Sequence, residues 1–129
     1  MNNIDIDQLF IKALDASYHA YAPYSKFKVG AAVVTSSGLI FTGCNVENAS
    51  YGATICAERV ALLKAISEGY RSFEAIAIIC NEDRPAFPCG LCLQMMNEFM
   101  PEGMIYLRDS KGSYEYKLKE LLPHGFNQY

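Results

Sequence analysis

Three cysteines and one glutamate are the residues of this chain best placed, by type and spacing, to do chemistry. Cys89-Gly90-Leu91-Cys92 sets two thiols two residues apart, a spacing at which both sulfurs reach one tetrahedral ion. Cys56 supplies a third sulfur if the helices beginning at these cysteines pack side by side with their N-termini level. The partial positive charge of a helix N-terminus lowers a thiol's pKa and favours the ligating thiolate. A catalytic zinc wants three protein ligands and an open fourth position, where water binds and loses a proton near neutral pH; a structural site wants four. Glu58, two residues after Cys56, falls on the first helical turn, near the ligand but not coordinating. There it is suited to accept a proton and hand it on. Alone, a first-turn glutamate does no more than complement the helix dipole; beside Cys56 and Pro88-Cys89-x-x-Cys92 it takes the catalytic reading. Among the other metal-ligating types, Cys44 and Cys80 end apolar runs and read as interior residues. His19 and His124 read as surface or packing residues.

The elements that must position these groups follow from periodicity. Residues 8–20 carry apolar side chains at helical spacing, with Asp7 as N-cap, and Tyr21-Ala22-Pro23-Tyr24-Ser25 ends that helix. Residues 27–34 and 39–44, separated by Thr35-Ser36-Ser37-Gly38, read as a hairpin. Residues 45–54 are a polar loop, and 55–68 a helix stopped by Gly69. Residues 74–80 form a buried strand, 81–88 a loop with two prolines, and 89–100 a third long helix. A short strand at 104–107, a turn at 109–112, an edge strand at 114–118 and a short helix at 118–122 finish the chain before a loose tail. Helix, hairpin, helix, strand, helix, strand predicts an α/β fold: a three-layer αβα sandwich around a mixed sheet of about five strands.

Bulk properties narrow the partners. The 129 residues, 51% hydrophobic and 19% charged, predict one domain over 1–129 with its own core. The net charge is -3 and Lys and Arg are not clustered. This disfavours a nucleic acid polymer, which demands a basic surface, and favours a small neutral molecule. The apolar runs are strand-length, too short for a membrane span. The start, Met-Asn-Asn-Ile-Asp-Ile-Asp, has neither a basic nor a long apolar region, so a cytoplasmic location without a secretory signal is expected. In that reducing setting the five cysteines are expected to be ligands, nucleophiles or buried residues, not disulfides.

Cys56-Ala57-Glu58 followed by Pro88-Cys89-Gly90-Leu91-Cys92 is the established signature of zinc deaminases in its three-cysteine form. Over nearly its whole length the sequence resembles the small homotetrameric cytidine deaminases. The resemblance is carried by residues 24–32 (YSKFKVGAA), 43–52 (GCNVENASYG), 54–59 (TICAER) and 121–123 (LLP), all in order. It implies one zinc ion per chain on Cys56, Cys89 and Cys92, with Glu58 as proton carrier. The reaction implied is hydrolytic deamination of cytidine and 2'-deoxycytidine to uridine and 2'-deoxyuridine, a step of pyrimidine salvage. Asn45 and Glu47 match residues that bind the ribose hydroxyls; a buried carboxylate there would penalise substrates lacking the hydroxyl. Phe27 matches an aromatic packed on the pyrimidine, and Ala57 a residue whose backbone meets the base's exocyclic carbonyl. Ala49 and Tyr51 match positions that reach a neighbouring subunit's ligand, and Phe126 matches a tail aromatic that closes a neighbour's pocket. The partners implied are thus a nucleoside and three further copies of the chain, with active sites shared between subunits.

One residue departs from the family pattern. The family usually has arginine directly after the last metal cysteine, where this chain has Leu93. Three thiolates leave a zinc shell at about -1, and arginines bonded to the sulfurs offset that charge. Arg59 remains; the expectation is a less electrophilic site unless Gln94 or another donor compensates. The tail Pro123-His124-Gly125-Phe126 also differs in detail. Competing readings are a deaminase of a blasticidin-type antibiotic, a polynucleotide-editing deaminase, a non-catalytic zinc-binding module and a thioredoxin-like pair at Cys89 and Cys92. Retention of Asn45-Val46-Glu47-Asn48 favours an ordinary ribose over the antibiotic, and only the enzymatic readings have a use for Glu58.

Overall fold

A computed structural model describes residues 4–127. Helix α1 (Ile6–Ser17) is capped by Asp5, whose carboxylate accepts from the Gln8 N–H at 3.1 Å. The sequence reading had placed that cap at Asp7. Asp5 wins because it sits one residue before the first helical one, with extended backbone and its oxygen aimed at an orphan N–H; Asp7 lies inside the first turn.

The sheet runs β2 (Ile40–Cys44), β1 (Val29–Thr35), β3 (Phe73–Cys80), β4 (Met104–Asp109), β5 (Gly112–Lys117). β3 and β4 are parallel and every other pair is antiparallel, so the sheet is mixed and five-stranded, as expected. The parallel pair needs a crossover, which α3 (Gly90–Phe99) supplies. Helix α2 (Ala57–Ser67) joins β2 to β3, and the short α4 (Leu118–Leu121) follows β5. Residues 27 and 28, read from sequence as strand, lie before β1, and a 3-10 turn at Tyr51–Ala53 sits within the loop read at 45–54.

Strand alternation splits the core in two. Ala32, Val34, Ala75 and Ala77 face Leu9, Phe10 and Ala13 of α1. Ala31, Val33, Ile76, Ile78, Ile105 and Leu107 face α2 and α3, packing with Ala61, Leu62, Cys92 and Met96. Helices therefore cover both faces of a central sheet, the three-layer arrangement. Two glycines set how closely they lie. A Cβ on Gly30 would fall 1.8 Å from the Ala13 carbonyl oxygen, and one on Gly43 would fall 2.5 Å from Ala61 N and 2.6 Å from Ala57 O. Among the described residues no helix is long and apolar enough to cross a membrane.

Candidate metal and active site

Cys56 and Cys89 are the N-cap residues of α2 and α3, and Cys92 is the third residue of α3. N-cap and third-position side chains meet over a helix N-terminus, the geometry of a capping box, so Cys89-x-x-Cys92 brings its own sulfurs together. Their separation is 3.4 Å. Packing of α2 beside α3 brings Cys56 Sγ to 3.7 Å from Cys89 Sγ, and all three sulfurs lie within 4.8 Å of one another. Sulfurs bound to one tetrahedral zinc at ~2.3 Å stand about 3.8 Å apart. The donor set therefore fits a zinc ion in distance and in chemistry. Among the described residues no histidine, aspartate, glutamate or further cysteine joins this cluster. Cys80 instead donates to the carbonyls of Glu82 and Arg84, at 3.4 Å each. Cys44 is half-buried on β2, and His19 and His124 are exposed.

The titration of the sulfurs points the same way. The Cys92 sulfur beside it, with Arg59 and Cys89 adding to the effect, pulls the Cys56 thiol below its ordinary value, whereas Cys92, crowded by the same sulfurs and buried, is pushed up. Three sulfurs this close cannot all ionise without a cation among them. Arg59 Nη2 lies 3.9 Å from Cys56 Sγ and donates to the Thr54 carbonyl at 3.4 Å; its Nε is buried with no partner among the described residues. Leu93 is 8% exposed and packs in the core with Met96 and Leu62, so the position after the last metal cysteine serves packing. Gln94 does not compensate. Its amide is spent on the chain's tail, with Nε2 donating to the Phe126 carbonyl at 2.6 Å and Oε1 accepting from the Phe126 N–H at 3.0 Å.

Glu58, the second residue of α2, is 4% exposed. Burial, reinforced by the neighbouring Cys56 thiolate, pushes its carboxyl up to about 7, the range in which one group can take and return a proton. It opens on a cleft of about 240 Å³ lined by Phe27, Asn45, Cys56, Ala57 and Cys89, together with Phe87, which the sequence reading did not single out. The Arg84 guanidinium lies over the Phe27 ring, 4.5 Å from its centroid.

Thr54 also lines a neighbouring hollow of about 430 Å³ shared by Tyr24, Ser25, Glu47, Asn48 and Tyr51. Glu47 is half-buried, not fully enclosed as its sequence role supposed, because it borders this open hollow. Its carboxylate accepts from Tyr24 N at 2.9 Å, from Ser25 N at 3.1 Å and from the Ser25 hydroxyl. Those bonds, the Ser25 hydroxyl's first, hold it below the usual carboxylate range. Asn45 bridges to β1 and its lead-in, accepting from Val29 N at 2.9 Å and donating to the Phe27 carbonyl at 2.7 Å. Ala57 is buried at the cleft. Ala49 and Tyr51 are exposed outside it, and Phe126 is 57% exposed on the tail. The structure thus brings Phe27, Asn45, Cys56, Ala57, Glu58 and Cys89 to one cleft, with Cys92 in the sulfur cluster at its edge and Glu47 in the adjoining hollow.

Residues 4–108 match the family model of the cytidine and deoxycytidylate deaminase zinc-binding region. A cytidine deaminase of Halalkalibacterium halodurans is 46% identical over 125 residues, covering 95% of each chain. One from Sporosarcina psychrophila is 43% identical over 127 residues, covering 97% of this chain and 93% of its own. The crystal structure of cytidine deaminase from Burkholderia pseudomallei superimposes with a TM-score of 0.88 at 45% identity, over 98% of this chain and 100% of its own.

Proposed function

Because the chain belongs to the cytidine and deoxycytidylate deaminase family, it is a zinc-dependent hydrolytic deaminase, and we propose that residues 1–129 form one domain acting on cytidine and 2'-deoxycytidine. The products are uridine or 2'-deoxyuridine and ammonia. Cys56, Cys89 and Cys92 hold the zinc ion, which when bound acidifies water near neutral pH. Glu58 removes a proton from the water whose oxygen adds to C4 and delivers it to N3 of the base, then moves the remaining proton of the added hydroxyl to the amine, which leaves C4 as ammonia. The observation that carries this reading is a carboxyl, 4% exposed, beside three converging sulfurs in a ligand-sized cleft.

Phe27 packs on the pyrimidine, and the Ala57 backbone meets its exocyclic carbonyl. Arg59 offsets thiolate charge. Asn45 and Glu47 orient the ribose hydroxyls, a role supported by the open side of the Glu47 hollow adjoining the cleft. Ala49, Tyr51 and Phe126, exposed in the single chain, serve a neighbouring subunit's site in a homotetramer. The reaction serves pyrimidine salvage in the cytoplasm, on free nucleosides and not on polymers. The test is loss of the cytidine absorbance band with purified protein, alongside a metal assay. The band decays at one zinc per chain and persists after chelation; decay unaffected by chelation, or none with zinc bound, overturns the reading.

A further inference from the structure

The backbone leading into β1 is held in a strained shape by side chains from distant parts of the chain. Lys26 has φ +62°, the left-handed region that side chains with a Cβ rarely adopt. The residue after it, Phe27, lines the cleft with Cys56 and Glu58. The β1–β3 ladder stops at Val29 and Cys80, so Lys26 to Lys28 have no strand partner there. Asn81 takes the partner's place. Its N–H donates to the Lys28 carbonyl at 3.0 Å, its Oδ1 accepts from Lys28 N at 3.0 Å, and its Nδ2 donates to the Lys26 carbonyl at 2.9 Å. One side-chain amide thus grips the peptide groups on both flanks of Phe27. Phe27 is gripped too: its N–H donates to Ser25 Oγ at 3.0 Å and its carbonyl accepts from Asn45. Since Ser25 Oγ also donates to Glu47, one hydroxyl ties the aromatic wall of the cleft to the carboxylate of the adjoining hollow.

We infer that Asn81 is a positioning residue for nucleoside binding, holding the Lys26 turn in its left-handed form so that the Phe27 ring stands fixed at the cleft wall. Strain of this kind persists only where surrounding contacts over-determine it, and it clusters where a binding group must be pre-set. Asn81 touches neither the sulfurs nor Glu58, so its removal acts on binding and leaves the proton chemistry alone. The role rests on the nucleoside reading above, in which Phe27 packs on the base; the clamp itself does not.

The test compares wild type with Asn81→Ala and Asn81→Asp, both retaining the backbone N–H bond to Lys28. Losing two hydrogen bonds and the fixed ring should raise KM for cytidine roughly tenfold in Asn81→Ala, with kcat within about twofold. Zinc content should stay at one per chain, and amide exchange should quicken at Phe27 and Lys28 but not in β3. Asn81→Asp keeps the acceptor for Lys28 but sets a carboxylate oxygen against the Lys26 carbonyl in place of the donor, so it should raise KM in the same direction and by at least as much. Asparagine tolerates the left-handed region better than lysine. Lys26→Asn in the Asn81→Ala background should therefore recover part of the lost affinity, which a merely structural role would not predict.

An unchanged KM, unchanged exchange at residues 27 and 28, or a kcat loss that tracks lost zinc overturns the inference. If Asn81→Ala does not fold, the same readings on Asn81→Asp decide it. Should zinc-loaded wild type not deaminate cytidine, the nucleoside reading fails separately, and the exchange rates alone decide whether Asn81 holds the turn.

Discussion

Gly43→Ala tests how closely the active site depends on the seating of α2. A Cβ there meets Ala57 O at 2.6 Å and Ala61 N at 2.5 Å, where ordinary contact begins at 3.4 Å. These atoms are helix backbone and no rotamer change relieves the clash, so α2 must retreat by about 0.8 Å in a core packed at crystal-like density. The helix carries Glu58 on its first turn and Cys56 at its cap. Metal–ligand distances tolerate only about 0.2 Å, so moving Cys56 away from Cys89 and Cys92 weakens zinc binding. A misplacement near 1 Å costs catalysis roughly 10²-fold, and overpacking of this kind costs about 1–3 kcal/mol of stability. Steady-state turnover at saturating zinc, zinc titration and thermal unfolding read the three effects. Wild-type kcat and zinc affinity in a folded Gly43→Ala protein would refute the claim that the Gly43 contact sets the depth of α2 and hence the site.

Further expectations concern charge, pH and metal. Leu93→Arg should raise turnover of the zinc-loaded protein by offsetting thiolate charge, while lowering Tm because Leu93 is a core residue; unchanged turnover and zinc affinity would sink the charge argument. Glu47 has a folded pKa below its ordinary value, so its bonds to Tyr24 and Ser25 add stability above the unfolded pKa. That contribution is lost as pH falls through the folded pKa. Glu47→Gln should accordingly flatten the acid side of a stability–pH profile, and an unaltered profile contradicts it. Chelation should expose additional reactive thiols, the accessible Cys89 and Cys56 before the buried Cys92, and lower Tm, since metal binding is linked to folding; a thiol count indifferent to chelator speaks against sulfur ligation.

Much of the site was legible in the sequence because its key residues act locally. Cys89 and Cys92 meet through helix-start geometry alone, and Glu58 is fixed by its distance from Cys56. The unbroken apolar runs at 31–34 and 75–80 read as buried strands, and the structure shows helices covering both faces of them. The resemblance added Phe27, Asn45 and Glu47. Asn81 and Ser25 were invisible because they act by side-chain bonds to backbone; Asn81 does so across a gap of 55 residues to Lys26, which no local pattern records. The start of β1 was misplaced for the same reason, since Phe27 and Lys28 look β-like and are bonded by side chains instead. Gln94 read as a free donor because nothing in α3 reveals the tail folded against it.

Glu58→Gln bears most directly on the central claim, that three sulfurs hold an ion beside a carboxyl that carries protons. Native mass spectrometry and cytidine turnover on the same sample should show one zinc per chain with the rate down by roughly 10²–10⁴-fold or more. Retained turnover, or loss of zinc together with activity, would contradict the account.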